Sequence, residues 1–204
     1  MFDWATRLAA RFCLAAFGLL LLAGCSHSGH WNNTDISGSV PTLSFSMVRA
    51  EDHKAVTGAD YRGKVTLLYF GYTFCPDACP TDLQALMQGY RLLEREHPDK
   101  AAKLQPIFIS VDPARDTPPV VKAFVNAFHP RLVGLTGSEA EIKTVAREYG
   151  VYYRKEDPRP GQGEYLMDHS RTAILFGPGG EPMVLVAQDG PPKEIASELA
   201  RWID

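Results

Sequence analysis

The chain has 204 residues, of which 45% are hydrophobic, and its net charge is −3. This length is sufficient for one domain with a substantial hydrophobic core. The charge is mildly acidic and the sequence contains no basic patch, so we expect no nucleic-acid partner.

The first 24 residues have the pattern of a lipoprotein signal peptide. Basic residues precede an apolar run, Phe12–Ala23, which is shorter than the ~20 residues of a transmembrane helix. The run ends in Leu22-Ala23-Gly24-Cys25, which resembles a lipobox, the motif whose cysteine is lipidated. We therefore expect an exported protein whose lipid on Cys25 anchors it at the periplasmic side of a bacterial membrane. An uncleaved N-terminal anchor is the alternative, and it gives the same topology.

Residues 25–40 are rich in serine, glycine, asparagine and histidine, and we interpret them as a flexible tether. Residues 41–204 then form the domain. Of the four cysteines, Cys13 leaves with the signal peptide and Cys25 carries lipid, so Cys75 and Cys79 remain. An exported protein with one close pair is not a disulfide-stapled scaffold, which favours a chemical role for the pair.

Strand and helix patterns alternate along the domain. We predict strands at 65–70, 104–111 and 132–135, hairpins of 43–48 with 53–56 and of 172–176 with 183–187, an extended piece at 151–154 and a polar loop at 155–164. We predict helices at 81–96, 118–128, 138–149 and 191–203. Pro98 stops the first helix, Thr117 is the N-cap of the second, and a capping box begins the third. This order predicts an α/β fold with a mixed central sheet flanked by helices. A buried strand that runs into a cysteine loop and then a helix is the thioredoxin-like arrangement.

The helix after the cysteine loop presents its N-terminus to Cys75 and Cys79. Unpaired backbone N–H groups and the helix dipole at that end stabilise a thiolate, so we expect lowered thiol pKa values. Two thiols at this spacing can close a redox-active disulfide or bind a soft metal ion such as Cu(I).

One of the six histidines is a candidate third ligand. His169 immediately precedes the predicted strand at 172–176, and in a thioredoxin-like sheet the loop entering that strand faces the cysteine loop. Thioredoxins carry a proline there, and this chain has no proline between Gly161 and Phe176. A neutral imidazole suits copper, and a third ligand would admit Cu(II) as well as Cu(I).

Four blocks in order resemble the signature of the Sco/SenC copper-chaperone family, and the resemblance covers roughly residues 40–204. The blocks are FGYTFCPDACP at 70–80, ISVDPARDTP at 109–118, FHPR at 128–131 and DHS at 168–170. The resemblance implies a thioredoxin-like fold that binds one copper ion through Cys75, Cys79 and His169.

The resemblance also implies partners. It implies assembly of the binuclear copper centre of cytochrome c oxidase, so the partner would be the oxidase subunit that carries this centre. It leaves room for another periplasmic protein as the copper donor. Asp77 and Asp112 lie within the matching blocks, and they are candidates for a contact behind the metal ligands or for partner docking.

Two functions remain open at this point. The first is a copper metallochaperone, a binding and transfer protein rather than an enzyme. The second is a thiol–disulfide oxidoreductase in which Cys75 and Cys79 keep the cysteines of the oxidase copper site reduced. His169 favours the first, since disulfide exchange needs no imidazole. A peroxiredoxin is disfavoured because its Thr-x-x-Cys pattern is absent, and structural zinc would require a fourth ligand.

Overall fold

An eight-stranded mixed sheet forms the centre of the protein in this computed structural model, which describes residues 33–158 and 163–204. The predicted signal peptide, Cys25 and the first half of the predicted tether lie outside the described residues. Within the described ranges, no helix is both long enough and apolar enough to cross a membrane.

The strands, in chain order, are β1 (Thr34–Asp35), β2 (Ser46–Arg49), β3 (Ala55–Thr57), β4 (Val65–Gly71), β5 (Leu104–Ser110), β6 (Val133–Thr136), β7 (Tyr153–Glu156), β8 (Leu166–His169), β9 (Ala173–Phe176) and β10 (Pro182–Leu185). The helices are α1 (Ala78–Glu96), α2 (Pro98–Lys103), α3 (Pro118–Asn126), α4 (Glu139–Glu148) and α5 (Pro192–Trp202). A 3₁₀ turn spans Gly58–Tyr61.

Strand β4 lies at the centre of the sheet, whose order is β1-β10-β9-β4-β5-β6-β2-β3. Strands β4, β5 and β6 run parallel, and the remaining pairings are antiparallel. In β4, Leu68 pairs with Ile107 of β5 and with Ile174 of β9. All seven residues of β4 are buried, as expected for an apolar run covered on both faces. The predicted thioredoxin-like α/β fold with a mixed sheet is confirmed.

Two glycines allow the helices to approach their neighbours closely. Helices α1 and α5 pack together at Gly89, where a Cβ atom would lie 2.6 Å from the Cγ2 atom of Ile195. Helix α3 packs on β6 at Gly134, where a Cβ atom would lie 2.5 Å from the Cγ1 atom of Val121. The predicted capping box of α4 is present, because the Ser138 hydroxyl accepts from the amide of Glu141 and the Glu141 carboxylate accepts from the amide of Ser138.

Three local features differ from the sequence prediction. After Pro98 the chain continues as the short helix α2, because proline is tolerated in the first turn of a helix. The polar loop predicted from residue 155 is a strand up to Glu156, which pairs with the unpredicted β8 in a separate two-stranded sheet. Thr34 and Asp35, within the predicted flexible tether at 25–40, form β1 and pair with β10, and Ile36 is buried beside them.

The packing at Gly134 predicts a measurable overpacking effect. Gly134→Ala should destabilise the protein by about 1–3 kcal/mol, because the new methyl group has to displace Val121 and Val125. The measurement is urea denaturation, and the matched control is Gly163→Ala, since a Cβ atom at Gly163 has no neighbouring atom within 4 Å. A second substitution, Val121→Ala, should recover part of the loss, and equal losses for Gly134→Ala and Gly163→Ala would contradict the prediction.

Candidate metal centre

Cys75 and Cys79 lie where β4 gives way to α1. The strand ends at Gly71, a short loop carries Cys75, and α1 begins at Ala78, so that Cys79 lies in the first turn of the helix. The side chain of Cys79 is fully buried, whereas Cys75 is partly exposed. The absence of a side chain at Gly71 leaves room for the buried sulfur, because a Cβ atom there would lie 3.0 Å from Cys79 Sγ.

His169 is the last residue of β8, and its imidazole reaches the cysteines. Its Nε2 atom lies 3.2 Å from Cys79 Sγ, and the three candidate ligand atoms of Cys75, Cys79 and His169 all lie within 4.8 Å of one another. The structure therefore brings together the three residues that the sequence singled out. Strand β8, rather than the loop predicted before β9, supplies the histidine, and Tyr153 of β7 pairs with it.

The His169 ring is held in one orientation. Its Nδ1 atom lies 2.9 Å from the carbonyl oxygen of Ser170, which can only accept a hydrogen bond, so Nδ1 is the donor. In the neutral imidazole this leaves the lone pair of Nε2 directed at the sulfurs, which is the usual arrangement of a metal-binding histidine. The buried ring of Tyr72 packs edge-on against the imidazole, with the ring centroids 5.7 Å apart.

The two sulfurs differ in charge. The pKa of Cys75 is lowered well below that of an ordinary thiol, chiefly because of a hydrogen bond with the Cys79 thiol, and the His169 side chain and the backbone amides of Cys79 and Asp77 also lower it. The pKa of Cys79 is raised, because that hydrogen bond requires its proton and because its sulfur is buried. The pair therefore carries one thiolate, on the more exposed sulfur.

Asp116 anchors the cysteine loop to the sheet. Its buried carboxylate accepts hydrogen bonds from the amide of Thr73 at 3.0 Å, from the Thr73 hydroxyl at 2.6 Å and from the Ser110 hydroxyl at 2.5 Å. Burial raises the pKa of Asp116. Because Ser110 is the last residue of β5, this carboxylate fixes the loop just before Cys75 to the carboxyl end of the neighbouring strand.

Asp82 lies one helical turn after Cys79 and joins three elements. Its carboxylate, which has no exposed surface, accepts a 2.8 Å hydrogen bond from the hydroxyl of Tyr69 in β4. The guanidinium of Arg171, on the connection from β8 to β9, donates to both carboxylate oxygens, through Nε at 2.9 Å and through Nη2. Burial is the main reason that the pKa of Tyr69 is raised.

Asp112 and Asp77 occupy different positions around the site. Asp112 is buried, accepts a 2.6 Å hydrogen bond from Arg115 Nε and a 2.8 Å hydrogen bond from the Tyr165 hydroxyl. The guanidinium of Arg115 in turn stacks 3.6 Å from the ring centroid of Tyr165 and 4.8 Å from that of the exposed Phe74. Asp77 is exposed at the N-cap of α1, and it is its backbone amide that contacts Cys75.

Sequence reasoning missed Asp82, Asp116 and Arg171. A signal existed for Asp82, because it shares the apolar face of α1 with Leu83, Leu86 and Tyr90, where a carboxylate requires a buried partner. Arg171 carries no such signal, since its distance along the chain from Asp82 does not reveal the contact.

The donor set limits which metal fits. Two sulfur atoms and one imidazole nitrogen are soft or borderline ligands, which select copper over hard cations such as Mg²⁺ and Ca²⁺. Structural zinc sites use four protein ligands, and Cys75, Cys79 and His169 are the one group of three or more candidate ligands within residues 33–158 and 163–204.

A sequence model described as SCO1/SenC matches residues 37–204, which is most of the chain and includes every residue of this site. The chain belongs to the SCO1/SenC family. The family resemblance expected from the four sequence blocks is thereby confirmed.

Relatives in this family include two mitochondrial proteins. The chain is 46% identical over 134 residues to the Arabidopsis thaliana protein SCO1 homolog 1, a match that covers 66% of this chain and 38% of the relative. It is 48% identical over 122 residues to the Bos taurus protein SCO2 homolog, covering 60% of this chain and 45% of the relative. The chain thus spans less than half the length of both relatives.

A solved family member has a similar structure. Bradyrhizobium japonicum ScoI with copper bound superposes on the chain with a TM-score of 0.70 at 38% sequence identity, and the match covers 79% of this chain and 99% of ScoI. The similarity therefore extends over almost the whole of the ScoI chain.

The charge asymmetry of the two sulfurs predicts unequal alkylation. Iodoacetamide should modify Cys75 much faster than Cys79 at pH 7, and the Cys75 rate should change little between pH 6 and pH 8, because its thiolate is already formed. An ordinary thiol with a pKa of about 8.5 reacts roughly 10-fold faster for each pH unit in this range. Peptide mass spectrometry after timed quenching measures both rates.

Cys79→Ala provides the control for the cause of this asymmetry. It removes the main hydrogen-bond donor to Cys75. The alkylation rate of Cys75 in this variant should therefore rise with pH. A Cys75 rate that increases 10-fold per pH unit in the wild-type protein would show that the pKa of Cys75 is not lowered.

Proposed function

We propose that this protein is a copper metallochaperone that binds one copper ion through Cys75, Cys79 and His169 and assists assembly of the binuclear copper centre of cytochrome c oxidase. One observation carries the proposal: two sulfur atoms and a correctly oriented imidazole nitrogen lie within 4.8 Å of one another in a member of the SCO1/SenC family. The copper-bound ScoI structure, with its similar fold, supports copper as the metal.

Copper is the cargo of this protein, and its residues would act in sequence. The Cys75 thiolate is partly exposed and charged, so it is the first group that an arriving ion meets. Cys79 would then lose its proton to become the second thiolate ligand, so copper binding should release a proton. His169 would supply Nε2 as the third ligand, and the Nδ1 hydrogen bond to Ser170 holds the ring in the required orientation.

The proposed location is the periplasmic side of a bacterial membrane. The signal-peptide pattern of residues 1–24 and the lipobox at Cys25 support export and a lipid anchor, which would place the domain on the same side of the membrane as a periplasmic copper donor. The partner that receives copper would be the oxidase subunit that carries the binuclear site. Asp77 and Phe74 are exposed beside Cys75, so they lie where such a partner would approach.

A second candidate function is a thiol–disulfide oxidoreductase that keeps the oxidase copper-site cysteines reduced. The observation that favours it is the partly exposed Cys75 thiolate, held next to a second free thiol. A thiolate of this kind attacks a disulfide, and the neighbouring thiol resolves the mixed disulfide. The two functions are compatible, because both require the reduced pair, and His169 separates them since only metal binding uses it.

The His169 ligand predicts different responses of Cu(I) and Cu(II). His169→Ala should retain Cu(I) binding through the two sulfurs, but it should lose the thiolate-to-Cu(II) absorption band and bind Cu(II) more weakly, because the additional nitrogen ligand stabilises Cu(II). Chelator competition for Cu(I) and an absorption spectrum with Cu(II) measure the two effects. The control is His97→Ala, since His97 is exposed after α1. An unchanged band in His169→Ala would remove His169 from the ligand set and favour the oxidoreductase function.

The dual use of the cysteines predicts redox control of metal binding. Oxidation of Cys75 and Cys79 to a disulfide removes both thiolate ligands. Diamide-oxidised protein should therefore bind Cu(I) at least about 100-fold more weakly than reduced protein, since removal of a group that only supports a ligand already costs about 10- to 100-fold. Competition titration of both forms, with Cys75→Ser as a control that cannot form the disulfide, measures the difference. Equal affinities of the two wild-type forms would contradict the proposal.

A further inference from the structure

The Asp82–Arg171 ion pair lies directly behind the candidate metal ligands. Asp82 follows Cys79 by three residues on α1, which places the carboxylate one helical turn from the buried sulfur. Arg171 follows His169 by two residues. The ion pair therefore joins the segment that carries the histidine to the helix that carries the cysteine.

The geometry of this pair suits a positioning role. Arg171 donates through Nε and Nη2 to the two oxygens of one carboxylate, and this two-point contact fixes direction as well as distance. The carboxylate is itself fixed by the Tyr69 hydroxyl, which donates to it from β4 at 2.8 Å. Asp82 is fully buried and cannot move to follow the arginine.

The other hydrogen bonds of residues 170–172 go to β4 and to neighbouring loops rather than to α1, and they include one from Gln188 Nε2 to the Arg171 carbonyl at 2.8 Å. Ser170 exchanges hydrogen bonds with the backbone of Tyr152, at 2.8 and 3.0 Å, and the Thr172 carbonyl accepts from the amide of Phe70 at 3.3 Å. None of these contacts reaches α1. The ion pair links this segment to α1 through side chains, next to the 3.2 Å approach of His169 Nε2 to Cys79 Sγ.

We propose that Arg171 and Asp82 are positioning residues that hold His169 at the distance from Cys79 at which both ligate one metal ion. This inference rests on the proposed copper site and adds the residues that position its third ligand, His169. Loss of the ion pair leaves the two sulfurs in place but lets the imidazole drift. The pair therefore matters most for Cu(II), whose binding uses the nitrogen ligand.

Arg171→Met tests the proposal. The full-length protein in detergent is titrated with Cu(II) against a competing chelator, and separately with Cu(I). Cu(II) binding should weaken by about 10- to 100-fold, the usual loss when a group behind a metal ligand is removed, together with a weaker thiolate-to-Cu(II) band. Cu(I) binding should change by less than about 3-fold, because two-sulfur coordination survives. Arg171→Lys keeps the charge but not the two-point contact, and it should fall between wild type and Arg171→Met.

A double-mutant cycle separates positioning from general destabilisation. In the His169→Ala background, Arg171→Met should have no further effect on Cu(II) affinity, because the residue through which Arg171 acts is absent. Equal losses in the two backgrounds, or a wild-type Cu(II) affinity in Arg171→Met, would overturn the proposal.

Arg49→Met is the matched control. Arg49 makes the same two-point contact with the carboxylate of Asp52, through Nε at 2.8 Å and Nη2 at 2.7 Å. The side chains of the two arginines are similarly exposed, 32% for Arg49 and 43% for Arg171. Arg49→Met should leave Cu(II) binding at the wild-type level, so that a loss specific to Arg171 reflects the site.

A metal-free measurement distinguishes failure of this inference from failure of the copper site. Nuclear Overhauser effects in the apo protein should connect the His169 ring protons to the Cys79 side chain in the wild type and in Arg49→Met, and these signals should weaken in Arg171→Met. If wild-type Cu(II) binding does not depend on His169, the proposed ligand set fails, and these signals still decide whether Arg171 positions the ring. Wild-type signal strength in Arg171→Met would overturn the positioning role. If Arg171→Met does not fold, as judged by near-ultraviolet circular dichroism, the same comparison is made with Arg171→Lys.

Discussion

The site depends on one contact, the 3.2 Å approach of the His169 imidazole to the buried sulfur of Cys79. The two residues are separated by 90 positions in the chain. Bringing them together costs conformational entropy, and the contacts of a flexible loop alone would not offset that cost. The protein places both residues at the ends of regular elements around a central strand buried on both faces. Strand β4 leads into the cysteines and pairs with β9, which follows the histidine, so the sheet brings the two segments together.

Three buried carboxylates, those of Asp82, Asp112 and Asp116, lie around the cysteines. Asp116 binds the loop before Cys75, Asp82 links the helix after Cys79 to Arg171, and Asp112 binds Arg115. Each accepts from at least two donors, which offsets the cost of removing a charge from water. These networks tie the cysteine segment to β5 on one side and to β4 and Arg171 on the other.

Much of this arrangement was accessible from the sequence. The apolar run of β4, the Thr117-Pro118 start of α3, the capping box of α4 and the cysteine loop before α1 are local signals, and each predicted an element at nearly its observed position. Thr117 occupies the N-cap position of α3 as predicted, but its side chain makes no capping hydrogen bond. His169 was found because its place before β9 follows from the order of the strands. The predicted extended piece at 151–154 covers the first half of β7, whereas β8 was missed since its four residues are too few to show a periodicity and their conformation is decided by pairing with β7. The Asp82–Arg171 pair was missed because a contact between distant residues leaves no spacing pattern.

The unequal burial of the two cysteines imposes an order on any exchange of ligands. A partner approaching from solvent reaches Cys75 and cannot reach Cys79 without opening the first turn of α1. A thiolate of the partner would therefore replace Cys75 as a copper ligand first, while Cys79 and His169 remain bound to the ion. The copper ion would pass through an intermediate in which both proteins supply ligands, so it would not be released into solution.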